Sequence, residues 1–238
     1  FEIAGATVLE IYTDEAMNTS SSHPFRGNLD LRKFQECIDK YGAARIPFVR
    51  MEASTNLVGG QPFSLENLRQ VKQLAAAHNI PLVYDGSLIS ENAYFIKERD
   101  PSCAGMSIAE IIREMMSLVD LLYLSARKST CVRGGLMATN SKDYYDRILA
   151  WLPLYEGFST YGGMSIKEVE AMSVGLREMT DYHVASVSPE FIAYFVNRLL
   201  ENGLPAVTPP GGLACHVDAK RFLPHLPQSQ YPAGALAA

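Results

Sequence analysis

The sequence predicts an α/β fold built on a mostly parallel sheet. Short apolar runs alternate with stretches in which apolar residues recur every three or four positions, the pattern of strands joined by amphipathic helices. Helical connections of this kind join parallel strands through right-handed crossovers. The chain has 238 residues, of which 47% are hydrophobic, so it can bury a substantial core.

The first third of the chain contains two predicted strands and two predicted helices. Residues 6–13 form a β-rich run, and apolar residues then recur at helical spacing from Asp30 until Gly42, which is suited to end a helix. Residues 46–53 form the next apolar run. Ser64 is a good N-cap for a second helix, which we expect to reach Ala77.

The middle third repeats the pattern. An apolar strand at residues 81–84 leads into Asp85, and a helix is expected near Ser90 to Arg99. The segment from Ser107 to Glu110 matches a capping box, which opens a helix to about Leu118. Residues 121–124 form a further strand.

The sequence of the last third of the chain predicts the end of a large domain and the start of a small α+β domain. A strand at residues 135–139 precedes three helices. Pro189 is suited to the first turn of the third helix, because its ring presets the backbone angle of that position. We expect the large domain over residues 1–185, and a hinge at residues 186–189 opens the small domain over residues 186–238. The predicted helices are Lys142 to Trp151, Ile166 to Thr180 and Pro189 to Glu201, and the predicted small-domain strands are residues 206–207 and 213–217.

Composition narrows the class of protein. The formal net charge is −5 without a basic block, so we expect no nucleic-acid partner and no anionic membrane surface. No apolar run approaches the roughly 18 residues that a membrane span needs, and Phe1 does not open a signal peptide. The four cysteines show no C-x-x-C spacing, which disfavours a zinc site or a disulfide framework. These features predict a cytoplasmic protein.

Two strand ends carry side chains suited to chemistry. Lys128 follows the strand at residues 121–124, where desolvation would lower the pKa of an amine and make it a nucleophile, although most such lysines are simply solvated. Asp85 ends another strand, where the ordinary role is a turn or cap carboxylate. Parallel strands present their carboxyl ends at one sheet edge, so the two side chains can converge. Pyridoxal phosphate needs such a pair: a lysine for its aldehyde and an aspartate for its ring nitrogen.

Five segments resemble one known family. The segment at residues 85–97 reads DGSLISENAYFIK and is similar to the corresponding part of the β-eliminating pyridoxal-phosphate lyases, of the tyrosine phenol-lyase and tryptophanase type. The other four segments follow in the family's order: HPFRGNLDL at 23–31, NLVGGQP at 56–62, YEGFSTYGG at 155–163 and PPGG at 209–212. The resemblance implies the large domain of the fold-type I cofactor enzymes. It begins partway into that domain, so the predicted domain is incomplete at its N-terminus.

The resemblance also implies roles for individual residues. Lys128 would hold the cofactor as an imine and then act as the base that removes the α-proton of an L-amino acid. Asp85 would pair with the ring nitrogen. Asn56 would contact the cofactor's phenolic oxygen and the substrate carboxylate; the alternative is that Asn56 only stabilises a turn. Ser125 would hydrogen-bond the phosphate, with Arg127 adding positive charge. The products would be pyruvate, ammonia and the leaving group.

Three positions depart from the family pattern. Leu88 stands where the family has an arginine near the phenolic oxygen, and Ser129 follows Lys128 where an aspartate is usual. Arg133 replaces the asparagine of the loop that binds a monovalent cation, which makes a potassium ion doubtful. These changes cluster at the cofactor, and a thiolate leaves more readily than phenol or indole. A carbon-sulfur lyase that acts on cysteine or an S-substituted cysteine, as a domain of a larger enzyme, is therefore as strong a hypothesis as a carbon-carbon lyase.

Two other classes stay open. An aminotransferase of the same fold would return the cofactor as an amine, and a scaffold domain of a larger enzyme would need none of the site residues. The joint presence of Asn56, Asp85 and Lys128 argues against the scaffold. By analogy with other enzymes of this fold, we expect a homodimer or homotetramer.

Overall fold

The computed structural model describes residues 4–158, 160 and 162–238. Within these residues the chain forms one four-stranded sheet, in which consecutive strands are neighbours. The first three strands are parallel and the fourth is antiparallel to the third, so the prediction of a mostly parallel sheet is confirmed. The strands are β1 (Val49–Glu52), β2 (Leu82–Asp85), β3 (Leu121–Ser125) and β4 (Gly135–Ala138).

Helices connect and flank these strands. In chain order they are α1 (Leu31–Tyr41), α2 (Leu65–Ala77), α3 (Ile89–Arg99), α4 (Ile108–Leu118), α5 (Ala126–Ser129), α6 (Lys142–Leu149), α7 (Leu152–Tyr155), α8 (Ile166–Glu178), α9 (Tyr182–Glu201), α10 (Ala219–Phe222) and α11 (Pro232–Ala237). Among the described residues, no helix combines the length and the apolarity that a membrane crossing requires.

Side-chain caps explain where several helices begin. Asp30 accepts a hydrogen bond from the Lys33 N–H at the start of α1, and Ser64 accepts one from Asn67 at the start of α2. The capping box expected at Ser107 is present in full, because Glu110 also reaches back to the Ser107 N–H. The predicted starts of α1, α2 and α4 are therefore confirmed.

The main core lies where α1 to α4 pack on the sheet. Its members come from all four helices and from β1 and β2, and many of them are completely buried. Alternation holds along β1, in which Val49 and Met51 are buried and Arg50 and Glu52 are not. In β2 the first three residues are all buried, and only Asp85, at the carboxyl end, is partly exposed.

Three predictions of secondary structure were wrong. Residues 6–13 form no strand and contribute only an isolated bridge between Tyr12 and Leu29. The expected small-domain strands reduce to a bridge between Ala206 and Val217. Both segments lack a neighbouring strand among the described residues, and an extended run becomes a strand only by pairing.

The third error concerns the start of the last long helix. α9 begins at Tyr182, because Asp181 accepts hydrogen bonds from His183 and Val184, and Pro189 lies about two turns inside it. Residues 186–189, predicted as a hinge, therefore lie within a continuous helix. The division of the chain at residue 186 stays a prediction.

Candidate active site

The carboxyl ends of the three parallel strands carry the residues that the sequence singled out. The backbone links these ends directly: the Ala53 N–H donates to the Asp85 carbonyl over 2.9 Å, and the Gly86 N–H donates to the Tyr123 carbonyl over 2.8 Å. The loop after β1, the turn after β2 and helix α5 after β3 therefore meet at one edge of the sheet. This is the edge at which α/β proteins bind ligands.

Asp85 is the last residue of β2 and is partly exposed. Its Oδ1 accepts a hydrogen bond from the Ser87 N–H over 3.0 Å, so the turn role that the sequence left open is real. On β3, Tyr123 lies directly opposite Asp85, and its hydroxyl accepts a hydrogen bond from Arg50 over 3.1 Å. Burial, and after it the negative charge of Asp85, raises the pKa of Tyr123.

Helix α5 is a single turn that places Lys128 beside the turn after β2. Ser87 joins the two segments, since its hydroxyl accepts from the Ser125 N–H over 3.1 Å and its carbonyl accepts from the Ser129 hydroxyl over 3.2 Å. Ser125 and Lys128 are thereby brought to the same edge as Asp85. Arg127 and Lys128 are both exposed, so the described residues do not supply the desolvation that the sequence argument assumed for Lys128.

Asn56 begins a short 3-10 helix in the loop after β1 and is exposed. The loop is held in shape around it, because the Thr55 N–H donates to the Gln61 carbonyl and the Gly212 N–H donates to the Gly60 carbonyl. Gly211 has to be a glycine here: an added Cβ would lie 2.2 Å from the Gly59 carbonyl oxygen. The PPGG segment thus packs directly on the loop that presents Asn56.

Sequence reasoning missed Ser87 and Glu91. Both lie in the DGSLISENAYFIK segment, in which Asp85 is the one predicted site residue. Ser87 is buried and bridges two strand ends. Glu91 lies in the first turn of α3, and burial raises the pKa of its carboxyl to about 7. Their position in the sequence could have indicated them, because a polar side chain that soon follows the end of a parallel strand lies near the carboxyl edge of the sheet.

The positions that depart from the family pattern fall in different environments. Leu88 is 2% exposed and belongs to the main core, so its side chain packs inward. Arg133 is exposed, and so is the thiol of Cys131 between it and Lys128. Among the described residues, no cluster of histidine, cysteine and carboxylate side chains is arranged to hold a metal ion. Ser159 and Tyr161 of the YEGFSTYGG segment lie outside the described residues.

Known proteins resemble this chain in sequence over nearly its whole length. The sequence profile of the beta-eliminating lyase family matches residues 1–230. Tyrosine phenol-lyase from Pasteurella multocida is 41% identical over 235 residues, which cover 98% of this chain and 51% of that protein. Tyrosine phenol-lyase from Symbiobacterium thermophilum is 40% identical over 238 residues, which cover 100% of this chain and 52% of that protein. The chain therefore spans about half the length of the curated relatives that it matches.

A solved structure confirms the fold class. Bna3p from Saccharomyces cerevisiae superposes with a TM-score of 0.61 over 88% of this chain and 47% of that one. The sequence identity is 19%, so this likeness supports the architecture alone. The predicted α/β architecture and the family resemblance both hold.

Proposed function

Because this chain belongs to the beta-eliminating lyase family, we propose that the protein is a pyridoxal-phosphate-dependent lyase that cleaves the bond to the β-substituent of an L-amino acid. The products would be pyruvate, ammonia and the leaving group. The observation that carries the proposal is the placement of Asp85 and Lys128 at one sheet edge, joined through Ser87. If Asp85 only stabilised a turn and Lys128 only faced solvent, neither role would require the two residues to lie at the same sheet edge.

The residues at this edge fit the cofactor. Pyridoxal phosphate supplies an electron sink for a negative charge at the α-carbon. Asp85 is held by the Ser87 N–H at the end of β2, where its carboxylate can keep a pyridine nitrogen protonated. Lys128 is exposed, so its amine is accessible to an aldehyde. The hydroxyl of Ser125 and the guanidinium of Arg127 suit a phosphate.

Each residue then has one task in the reaction. Lys128 would take the proton from the α-carbon, because its amine lies at the sheet edge where the substrate would bind. Asn56 orients the substrate carboxylate from the loop after β1. Asp85 would supply the negative charge that keeps the ring nitrogen of the cofactor protonated, and the hydrogen bond from Arg50 to Tyr123 keeps the neighbouring phenol in place.

We favour an aromatic leaving group of the tyrosine type. The support is the 40 to 41% identity to tyrosine phenol-lyases over nearly the whole chain. A thiolate leaving group is the second candidate, and one observation favours it. Leu88 is packed into the core, so the described residues offer no cation at that position to stabilise the phenolic oxygen of the cofactor. An oligomeric state and a cytoplasmic location stay predictions.

The test uses the full-length polypeptide loaded with pyridoxal phosphate. We expect a visible absorption band that borohydride abolishes, with the cofactor mass fixed on the peptide that contains Lys128. Lys128→Ala should lower pyruvate release by roughly 10³-fold, the range of a lost catalytic base. Lys142→Ala is the matched control, because that lysine is 82% exposed and pairs with Asp146 on α6.

The choice of amino acid identifies the leaving group. Pyruvate from L-tyrosine supports the aromatic class, and pyruvate from L-cysteine alone supports the second candidate. A requirement for a keto acid, with no pyruvate from either amino acid, would instead indicate an aminotransferase. Absence of any absorption band after the cofactor is added would contradict the lyase proposal as a whole.

A further inference from the structure

Gln61 is completely buried at the base of the loop that presents Asn56, and no step of the proposed reaction uses it. It belongs to the NLVGGQP segment, in which Asn56 is the one predicted site residue. The backbone of Gln61 closes the loop. The Thr55 N–H donates to the Gln61 carbonyl over 3.0 Å, and the Gln61 N–H donates to the Thr55 carbonyl over 3.3 Å. Asn56 directly follows Thr55, so this closure fixes the point at which Asn56 enters the loop.

The side-chain amide of Gln61 connects this loop to a segment that is 148 residues away in the sequence. Its Nε2 donates to the Pro209 carbonyl over 2.8 Å and to the Gly59 carbonyl, inside the loop, over 3.2 Å. The backbone adds a parallel link, because the Gly212 N–H donates to the Gly60 carbonyl over 2.9 Å. One buried amide group therefore braces the loop from inside and anchors it to the PPGG segment.

The PPGG segment and the residue before it form a fixed support for this anchor. Arg26, which is 1% exposed, donates to the Thr208 carbonyl over 2.7 Å, and Arg99 donates to the Pro210 carbonyl over 2.7 Å. Together with Gln61, three side chains from different parts of the chain hold three consecutive carbonyl groups. Of these three side chains, the amide of Gln61 is the one that belongs to the loop after β1.

The stability of the fold does not fully account for this amide. Oε1 of Gln61 is buried and has no hydrogen-bond partner among the described residues. A buried acceptor without a partner costs free energy, so the side chain contributes less to stability than its two donated hydrogen bonds would alone. What the two donated hydrogen bonds do achieve is to fix the shape and the place of the loop.

We propose that Gln61 is a positioning residue for Asn56: by anchoring the loop to the Pro209 carbonyl, its amide holds the Asn56 side chain where it binds the carboxylate of the substrate. This inference rests on the proposed function, in which Asn56 orients that carboxylate. Gln61 itself makes and breaks no covalent bond. A side chain that is already in place needs no ordering when the substrate binds, so loss of the anchor weakens substrate binding more than it slows the chemical step.

The first test measures the loop itself, without cofactor or substrate. Amide hydrogen exchange of the full-length protein is followed by mass spectrometry on peptides that cover residues 55–61 and residues 208–212. Gln61→Met has a side chain of similar length without a donor. We expect it to speed exchange about tenfold in both stretches, because the hydrogen bond between them is lost. Gln61→Asn, which keeps an amide but is one methylene shorter, should give a smaller increase.

The matched control is Ser90→Ala. The buried hydroxyl of Ser90 also donates to a distant backbone carbonyl, that of Met179, over 2.7 Å. Its loss removes a hydrogen bond of the same kind between two other segments, so exchange at residues 55–61 should stay as in the wild type. The proposal is overturned if Gln61→Met leaves exchange at residues 55–61 unchanged, or if Ser90→Ala speeds it equally.

The second test uses the enzyme loaded with pyridoxal phosphate. Gln61→Met should raise KM for the amino acid about tenfold and lower kcat by less than about twofold, because it acts on binding of the carboxylate. The same change added to Asn56→Ala should raise KM no further, since the anchor has no effect once the side chain that it holds is gone. An equal rise of KM in both backgrounds would contradict the proposal.

The two tests also separate this proposal from the proposed function. If the wild-type protein releases no pyruvate, the proposed function fails. The hydrogen-exchange result still decides whether Gln61 holds the loop that carries Asn56.

Discussion

The region from α1 to β3 buries its apolar side chains within the chain, whereas α6 to α9 leave many of theirs exposed. In α4, Ile111 and Met115 are completely buried. In α9, Phe191 and Tyr194 are 70% and 66% exposed, and α6 and α7 contribute no buried residue at all. Both regions contain helices with apolar side chains, and they differ in how much of that apolar surface the described residues cover.

This difference separates local from tertiary causes of structure. α4 and α8 begin with the same capping box, Ser107 with Glu110 and Ser165 with Glu168. Caps depend on neighbours in sequence, so both helices form. Burial depends on distant partners, and α8 buries only Met172 and Gly175. The described residues thus leave apolar helix faces uncovered in the second region but not in the first.

The largest difference between the two regions in the free energy of unfolding is expected when one apolar side chain in each is truncated to alanine. Ile111→Ala should lower the free energy of unfolding by about 3 kcal/mol, because it leaves a cavity in the main core. Phe191→Ala, the matched change in α9, should alter it by less than about 0.5 kcal/mol, since that ring is mostly exposed. Urea denaturation of the 238-residue chain measures both. Equal losses would mean that the second region is as well packed as the first.

A smaller contrast concerns one glutamate in each region. Burial raises the pKa of Glu91 to about 7, so its contribution to stability is complete at low pH and is lost as the pH rises towards 7. Glu91→Gln should therefore raise the free energy of unfolding by about 2 to 3 kcal/mol at about pH 8 and change it little at about pH 4. Thermal unfolding at the two pH values measures this.

Glu168 provides the opposite case for comparison. The N–H and hydroxyl of Ser165 donate to it and lower its pKa, so its contribution is present near neutral pH and lost as the pH falls. Glu168→Gln should lower the free energy of unfolding near neutral pH and leave it unchanged in acid. The same sign of pH dependence for both variants would contradict the assigned environments.

The smallest contrast uses the two matched caps. Ser107→Ala should cost about 1 kcal/mol of global stability, because α4 is part of the main core. Ser165→Ala should change global stability less and instead speed hydrogen exchange in the first turn of α8, because a helix that buries only Met172 and Gly175 is expected to open locally. Urea denaturation together with amide hydrogen exchange distinguishes these outcomes. A full loss of about 1 kcal/mol for Ser165→Ala would show that α8 unfolds only with the core.

Much of the fold followed from features that are local in sequence. The caps at Ser64 and Ser107 predicted two helix starts, helical spacing from Asp30 predicted a third, and three apolar runs predicted the parallel strands. The error at Pro189 has an equally local reason. Asp181 caps the helix upstream of Pro189, so the helix begins earlier than the proline alone indicates.

By itself the sequence determined the family, the α/β architecture and the identity of the residues at the strand ends, because strand periodicity, helix caps and motif order are properties of neighbouring residues. Only the tertiary structure decided that Lys128 is exposed, that Leu88 packs into the core and that burial raises the pKa of Glu91. The physical reason is that burial and the pKa of a side chain depend on segments far away in the chain. For Glu91 those segments are the loop that carries Ser54 and the one that carries Gly212, which are 158 residues apart in numbering.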